Sequence, residues 1–432
     1  MHALKLPGAL RRYPWRAVAL AMAGLALALA LGGAAINAAF AWRVRQIDPA
    51  YTALSGTCYF AGDARHYTRI ALNGYSDYDL ALLPPHYAQV NDRGWWPLFP
   101  ALASGAIALG GGACGGQIVN ALAFVLLAPV FQALTRERRA LPLLALALAP
   151  FGAWLYVGGA DSLLLLLGGL LALAARAGAT RPRAASLAAL ALGALAGLAE
   201  PHGLLLIPAF GAWWLGLAAS RVWMRPADDP RSLRRVLFED ASPAWAPLFA
   251  ALGIALGAGA WLYQASGHYP LWPLMIVRTR WPGEFAAWSP GALARTFQDA
   301  VALAWRDQLS MQSLQRGVEL AALVFGLALA FGRLPPLWAQ GERIRLPLHW
   351  RVGILTPLVI MFAIGQSHAL ERAMVSNVFV VLAWHRLVFG EPGQIVQWKL
   401  ASFPGLIRWL WLLAGPALWL LSFLLLGWEP LV

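Results

Sequence analysis

Apolar residues in this chain run in long blocks and do not alternate with polar ones, which points to helices buried on all sides. About 20 predominantly apolar residues cross a bilayer as a helix. Eleven stretches fit: 16–40, 116–134, 140–157, 161–176, 184–200, 202–220, 244–266, 316–332, 352–367, 373–389 and 407–428. Two of them are short, so neighbouring helices must shelter their ends. A twelfth stretch, 97–112, opens with Trp95-Trp96-Pro97 and closes on Gly110-Gly111-Gly112. The pattern predicts an all-α polytopic membrane protein, one membrane domain over 1–432, with two large loops on one side at 41–115 and 267–315.

Charge decides whether 97–112 crosses. If it does not, and the N-terminus is cytoplasmic, 22 of the 33 basic residues lie inside and 11 outside, while the acidic residues divide 7 inside and 13 outside. Counting 97–112 as a span would put Arg136, Arg138 and Arg139 outside and reverse every later loop. Cytoplasmic loops carry the excess of Lys and Arg, so 97–112 is expected as a juxtamembrane or re-entrant helix on the outer side. Trp and Tyr favour the interface, and Trp272, Trp281, Trp288 and Trp305 place the 267–315 loop on the bilayer surface.

Composition agrees. The chain is 60% hydrophobic and 12% charged, roughly half the charge of a soluble domain, which excludes a soluble enzyme, a disordered regulator and a secreted disulfide scaffold. The net charge of +13 is read as Arg-rich cytoplasmic loops and not as a nucleic-acid surface. The first apolar run is too long for the core of a cleaved signal, which spans about 7–15 residues, so it is read as a retained span. No P-loop pattern occurs, and no GxGxxG follows a strand. The two cysteines, Cys58 and Cys114, both fall on the outer side, where a disulfide can persist; two buried thiols are the alternative.

Ionisable groups at membrane depth are costly and tend to be functional. Asp63, His66, Asp161, Glu200, His202, His368, Glu371 and Arg372 come from four separate places, yet the topology puts all of them at or near the outer face. That suggests a polar site above a helical bundle, although helix ends are polar for solvation alone. The densest segment is Gly62-Asp63-Ala64-Arg65-His66-Tyr67-Thr68-Arg69-Ile70-Ala71-Leu72-Asn73-Gly74-Tyr75. On a helix Asp63, His66 and Tyr67 share one face, and Arg65 and Arg69 another. A carboxylate there can take a proton from an acceptor hydroxyl, and the arginines can hold a phosphate. A helix N-cap is the equal alternative for Asp63. His349 and His385 face the cytoplasm and are read as uninvolved.

This segment resembles the PIG-V family of GPI mannosyltransferases and their bacterial relatives, which carry a Trp-Asp-x-x-(His/Trp)-Tyr-x-x-Ile-Ala-x-x-Gly-Tyr run after the first span. Asp63, His66, Tyr67, Ile70, Ala71, Gly74 and Tyr75 match it, with Gly62 in place of the Trp. Trp96-Pro97-Leu98-Phe99-Pro100 is similar to the family's next run. Weaker similarity continues through Pro150–Tyr156 and Ala160-Asp161-Ser162-Leu163, through Ala199-Glu200-Pro201-His202-Gly203 where the family has Thr-Arg-x-x-Gly, and through Ser367–Arg372 with Phe379.

The resemblance implies a GT-C glycosyltransferase fold, with many membrane helices and a large first extracytoplasmic loop containing juxtamembrane helices. It implies a polyprenyl-phosphate sugar donor, a hexose such as mannose, and inverting transfer with Asp63 as base. Arg372, then Arg65 or Arg69, would meet the leaving phosphate, and Asp161, Glu200 and His202 would orient hydroxyls. No metal is expected to be required; a divalent ion held by Asp63 with Asp161 or Glu200 is the alternative. The Ala-, Leu- and Arg-rich composition suggests a bacterial inner membrane, with the site facing the periplasm and a lipid, glycan or protein as acceptor. A flippase of a lipid-linked sugar, or a GT-C-like protein that binds without turnover, are the competing classes.

Overall fold

The computed structural model describes residues 18–27, 64–75, 95–137, 145–156, 159–223, 245–266, 311–331, 346–364, 370–390 and 409–420. Those residues are almost all helical, and no strand occurs among them. The helices are α1 Val18–Leu27, α2 Ala64–Asn73, α3 Leu98–Ala106, α4 Gly115–Thr135, α5 Asp161–Ala177, α6 Pro182–Ala199, α7 Ile207–Trp223, α8 Trp245–Ser266, α9 Met311–Phe331, α10 Leu348–Ile364, α11 Leu370–Val375 and α12 Val378–Phe389, with α13 at Trp409–Leu420. Four segments of described residues are long and apolar enough to cross a membrane: Gly115–Thr135, Pro182–Ala199, Pro201–Trp223 and Trp245–Ala265. The molecule is therefore an all-α, membrane-embedded protein. Its outward faces carry Leu122, Leu126, Leu187, Leu256 and Val359 exposed, as hydrocarbon-facing positions should be.

Among the described residues, the expected span 202–220 opens on a 3-10 segment, Pro201–Leu206, and 140–157 and 373–389 are interrupted. The stretch 140–157 holds two short 3-10 segments, Ala145–Leu148 and Gly152–Tyr156. They are separated at Pro150, which lacks an N–H and disfavours helical geometry in the residue before it. Phe151 just beyond adopts a left-handed φ of 60°. The stretch 373–389 is split into α11 and α12. Asn377 makes the break: its Oδ1 accepts from the Phe379 N–H at 3.0 Å, capping α12, and its Nδ2 donates to the Gly353 carbonyl of α10 at 2.8 Å. A buried polar break survives only when its groups find partners, and both of these do.

Glycines set the closest helix contact. In α6 and α8, Gly193/Gly197 and Gly253/Gly257 repeat at a spacing of four and face each other. A methyl at Gly193 would lie 2.6 Å from the Ala250 carbonyl oxygen, and methyls at Gly197, Gly253 and Gly257 would overlap the carbonyl oxygens of Ile254, Leu190 and Ala194. Small residues every fourth position let two backbones touch where lipid offers no hydrophobic drive. The partner positions rise together along both helices, so α6 and α8 run parallel.

The segment after Trp96 folds as α3, a π turn over Ile107–Gly111 and a 3-10 turn over Gly112–Cys114, then enters α4 directly. Gly110 has φ 98° and Gly112 φ 55°, left-handed values that glycine adopts without a Cβ penalty. Gly115 sits against the Ala103 carbonyl, leaving no room for a Cβ. The segment 97–112 is thus a helical arm folded back on α4. Cys114 at its end is disulfide-bonded; Cys58, the other cysteine of the chain, lies outside the described residues.

Candidate functional site

Consecutive antiparallel helices bring the start of one beside the end of the next. α5 begins at Asp161 and α6 ends at Ala199, so Asp161 and Glu200 meet at one end of the bundle. Glu200 is extended, with φ −164° and ψ 153°, and Pro201 starts a short 3-10 segment to Leu206. That sharp exit turns the Glu200 side chain inward. Gly203 lies 2.9 Å by its N–H from the Glu200 carbonyl, and a Cβ there would press on the Ala196 carbonyl. α11 supplies Arg372 from more than 170 residues further along the chain.

These four side chains form one cluster. Arg372 donates from Nε and Nη2 to Asp161 Oδ2 at 3.3 and 3.1 Å, and from Nη2 to Glu200 Oε1 at 3.0 Å. His202 Nδ1 lies 3.4 Å from the same Glu200 oxygen. Asp161 is 1% exposed, Glu200 0% and Arg372 7%. The guanidinium carbon sits 5.0 Å from the centroid of Trp154, so the cation rests on an aromatic face while its edge holds carboxylates. Desolvated cation–π pairs of this kind contribute about 2 kcal/mol. Gly159 closes the other side: a Cβ there would be 3.2 Å from Asp161 Oδ2 and 3.5 Å from Arg372 Nη2. Ser162 anchors the start of α5 by donating to the Leu155 carbonyl.

The structure therefore joins Asp161, Glu200, His202 and Arg372, which the sequence offered as four entries in a wider set. Trp154 and Gly159 were not anticipated. A tryptophan in an apolar run and one glycine among 42 carry no polar signal, and only the fold shows what they touch. Glu371, the neighbour of Arg372, is also buried.

The first-loop helix is amphipathic. Ala64, Tyr67, Ile70 and Ala71 are buried, with Tyr67 edge-on to Phe99 at 5.0 Å. His66 stacks flat on Trp95, centroids 3.9 Å apart and planes at 17°. Arg69 Nη2 is 3.5 Å from His66 Nδ1. Arg69 thus reaches the histidine one turn back. Tyr67 is fully buried and His66 half-buried. Asp63 lies outside the described residues, and so does the Arg65 side chain; His368 likewise.

Aromatic packing puts this segment at the same end of the bundle as the buried cluster. Tyr75 donates to the Trp95 carbonyl at 2.8 Å and packs on Trp261 near the end of α8. Trp96, Trp261, Tyr75 and Leu204 share one apolar cluster, and Leu204 is two residues beyond His202. Among the described residues, Asp161, Glu200 and His202 are a set whose donor atoms lie close enough to hold a metal ion. Comparison of the chain with protein-family models, with curated proteins and with solved structures gives no match.

Proposed function

We propose that this chain is a membrane glycosyltransferase of GT-C type that moves a hexose from a polyprenyl-phosphate sugar to an acceptor outside the cytoplasm. The observation that carries the reading is the convergence of Asp161, Glu200, His202 and Arg372, from three distant stretches, at the end of the bundle where the first-loop helix packs. A buried polar cluster in a membrane protein is costly, and hydroxyl-rich substrates need such groups to fix their orientation. The disulfide at Cys114 supports an oxidising, extracytoplasmic side for that end.

In this reading Asp63, just before α2, takes the proton from the acceptor hydroxyl. The freed oxygen attacks the anomeric carbon, the bond from that carbon to the phosphate oxygen breaks, and polyprenyl phosphate leaves with the electron pair. Arg372 is already engaged by two carboxylates, so Arg69, or Arg65 four residues earlier in the sequence, is the better cation for the leaving phosphate. Asp161 and Glu200, held by Arg372, and His202 then order sugar or acceptor hydroxyls. Exclusion of bulk water prevents hydrolysis of the donor. Mannose is the first sugar to test, in a bacterial inner membrane with the site facing the periplasm.

Transport of a lipid-linked sugar is the second reading, favoured by the break between α11 and α12, since transporters build their sites on discontinuous helices. One experiment separates the two. Purified protein is incubated with radiolabelled polyprenyl-phosphate sugars and lipid or glycan acceptors, wild type beside Asp63→Asn. Release of polyprenyl phosphate that falls at least about 100-fold in the variant is the expected result. Movement of the donor across vesicles without sugar transfer would replace it with the transporter.

A further inference from the structure

We propose that Asp161, Glu200 and His202 bind one divalent first-row transition ion, with Arg372 as a positioning residue beside it. The proposal concerns metal binding alone and stands whether or not the chain transfers sugar. It differs from the site weighed on sequence, which drew on Asp63.

The oxygen inventory comes first. Arg372 satisfies only Oδ2 of Asp161. Oδ1 is buried and accepts no hydrogen bond from any described residue, and His202 Nδ1 makes none either. A carboxylate with one oxygen held by a positively charged neighbour and the other open is how ligating carboxylates are oriented around metals.

Geometry permits it. One donor atom from each of the three residues lies within 4.8 Å of the other two. Oxygen and imidazole ligands sit about 2.1 Å from such an ion, so two ligands of one ion are at most roughly 4.2 Å apart. The cluster closes by a few tenths of an ångström, which side-chain rotation supplies. Two oxygens and one imidazole suit manganese or zinc better than thiolate-seeking ions, and three protein ligands leave coordination positions open. Gly159 adds room, because any side chain there would press on Asp161.

The test is a Mn2+ titration of purified full-length protein, reading free Mn2+ by the room-temperature electron paramagnetic resonance signal. Wild type is expected to take up one ion per chain saturably. His202→Gln, which keeps the size and a polar tip, is expected to weaken uptake at least tenfold, and Asp161→Asn likewise. His349→Ala, a histidine at the far end of the bundle, is expected to match wild type. Co2+ loading read by its visible absorption spectrum provides an independent measure: intense bands that shift in His202→Gln support imidazole ligation. No saturable uptake in wild type, or uptake unchanged in both His202→Gln and Asp161→Asn, overturns the proposal. Correct folding of each variant is checked by its elution as a single species.

Discussion

Arg372→Met removes one positive charge from between two buried carboxylates, and the structure sets the size of the effect. The lost partners are Asp161 Oδ2 at 3.1 Å and Glu200 Oε1 at 3.0 Å, with the Trp154 face 5.0 Å away. All three charged side chains are less than a tenth exposed, so solvent screening gives little relief. Breaking one partner out of a buried ion pair costs about 3–5 kcal/mol, because the remaining charge is left uncompensated. The cation–π contact lies inside that figure, since the same substitution removes both. A domain holds only about 5–15 kcal/mol in total, so the variant should unfold early. Removing the stranded charges as well, in Arg372→Met with Asp161→Asn and Glu200→Gln, should restore most of the loss, because replacement of a whole buried ionic set by neutral groups is often close to neutral. Arg372→Lys should fall between, since an ammonium cannot hold two carboxylates with a planar fork. Unfolding is measured by SDS titration in mixed micelles, where it can be reversed. A single variant within about 1 kcal/mol of wild type, or a triple variant as unstable as the single, would refute the view that an uncompensated charge governs this site.

Other outcomes follow from the packing. Gly197→Val or Gly253→Val forces α6 and α8 apart and should cost about 1–3 kcal/mol; Gly259→Ala, whose added methyl meets nothing within 4 Å, should cost nothing in the same titration. Trp154→Leu should destabilise by about 2 kcal/mol through loss of the Arg372 contact, whereas Trp223→Leu, at a site 93% exposed, should not. Cys114 should resist a maleimide reagent in denatured, unreduced protein and become labelled after reduction; labelling without reduction would contradict the disulfide.

Much of the architecture was legible in one dimension. Blocks of 16–25 largely apolar residues announce membrane helices, because each hydrocarbon-buried backbone must satisfy its own hydrogen bonds. The observed α4, α5, α6, α7 and α8 lie within a few residues of 116–134, 161–176, 184–200, 202–220 and 244–266. A helix was also expected at 97–112, placed outside the bilayer core by the charge balance of the loops, and Leu98–Ala106 with its π turn is helical. Periodicity failed at Pro150 and at Asn377. Hydropathy sums over a window and cannot see that one residue withdraws an N–H or that one amide finds a carbonyl on another helix.

The candidate site divides the same way. Residue type and topology singled out Asp161, Glu200, His202 and Arg372, because buried charge is rare enough to be noticed. Which of them touch was decided by the fold alone. Asp161 and Glu200 meet because α5 and α6 are antiparallel neighbours, and Arg372 arrives because α11 stops short at a capped break. Trp154, Gly159 and the glycine seam between α6 and α8 matter through what lies opposite them. A residue's own identity specifies its chemistry; its partner is set by chain segments far away in sequence, and only tertiary packing brings them within reach.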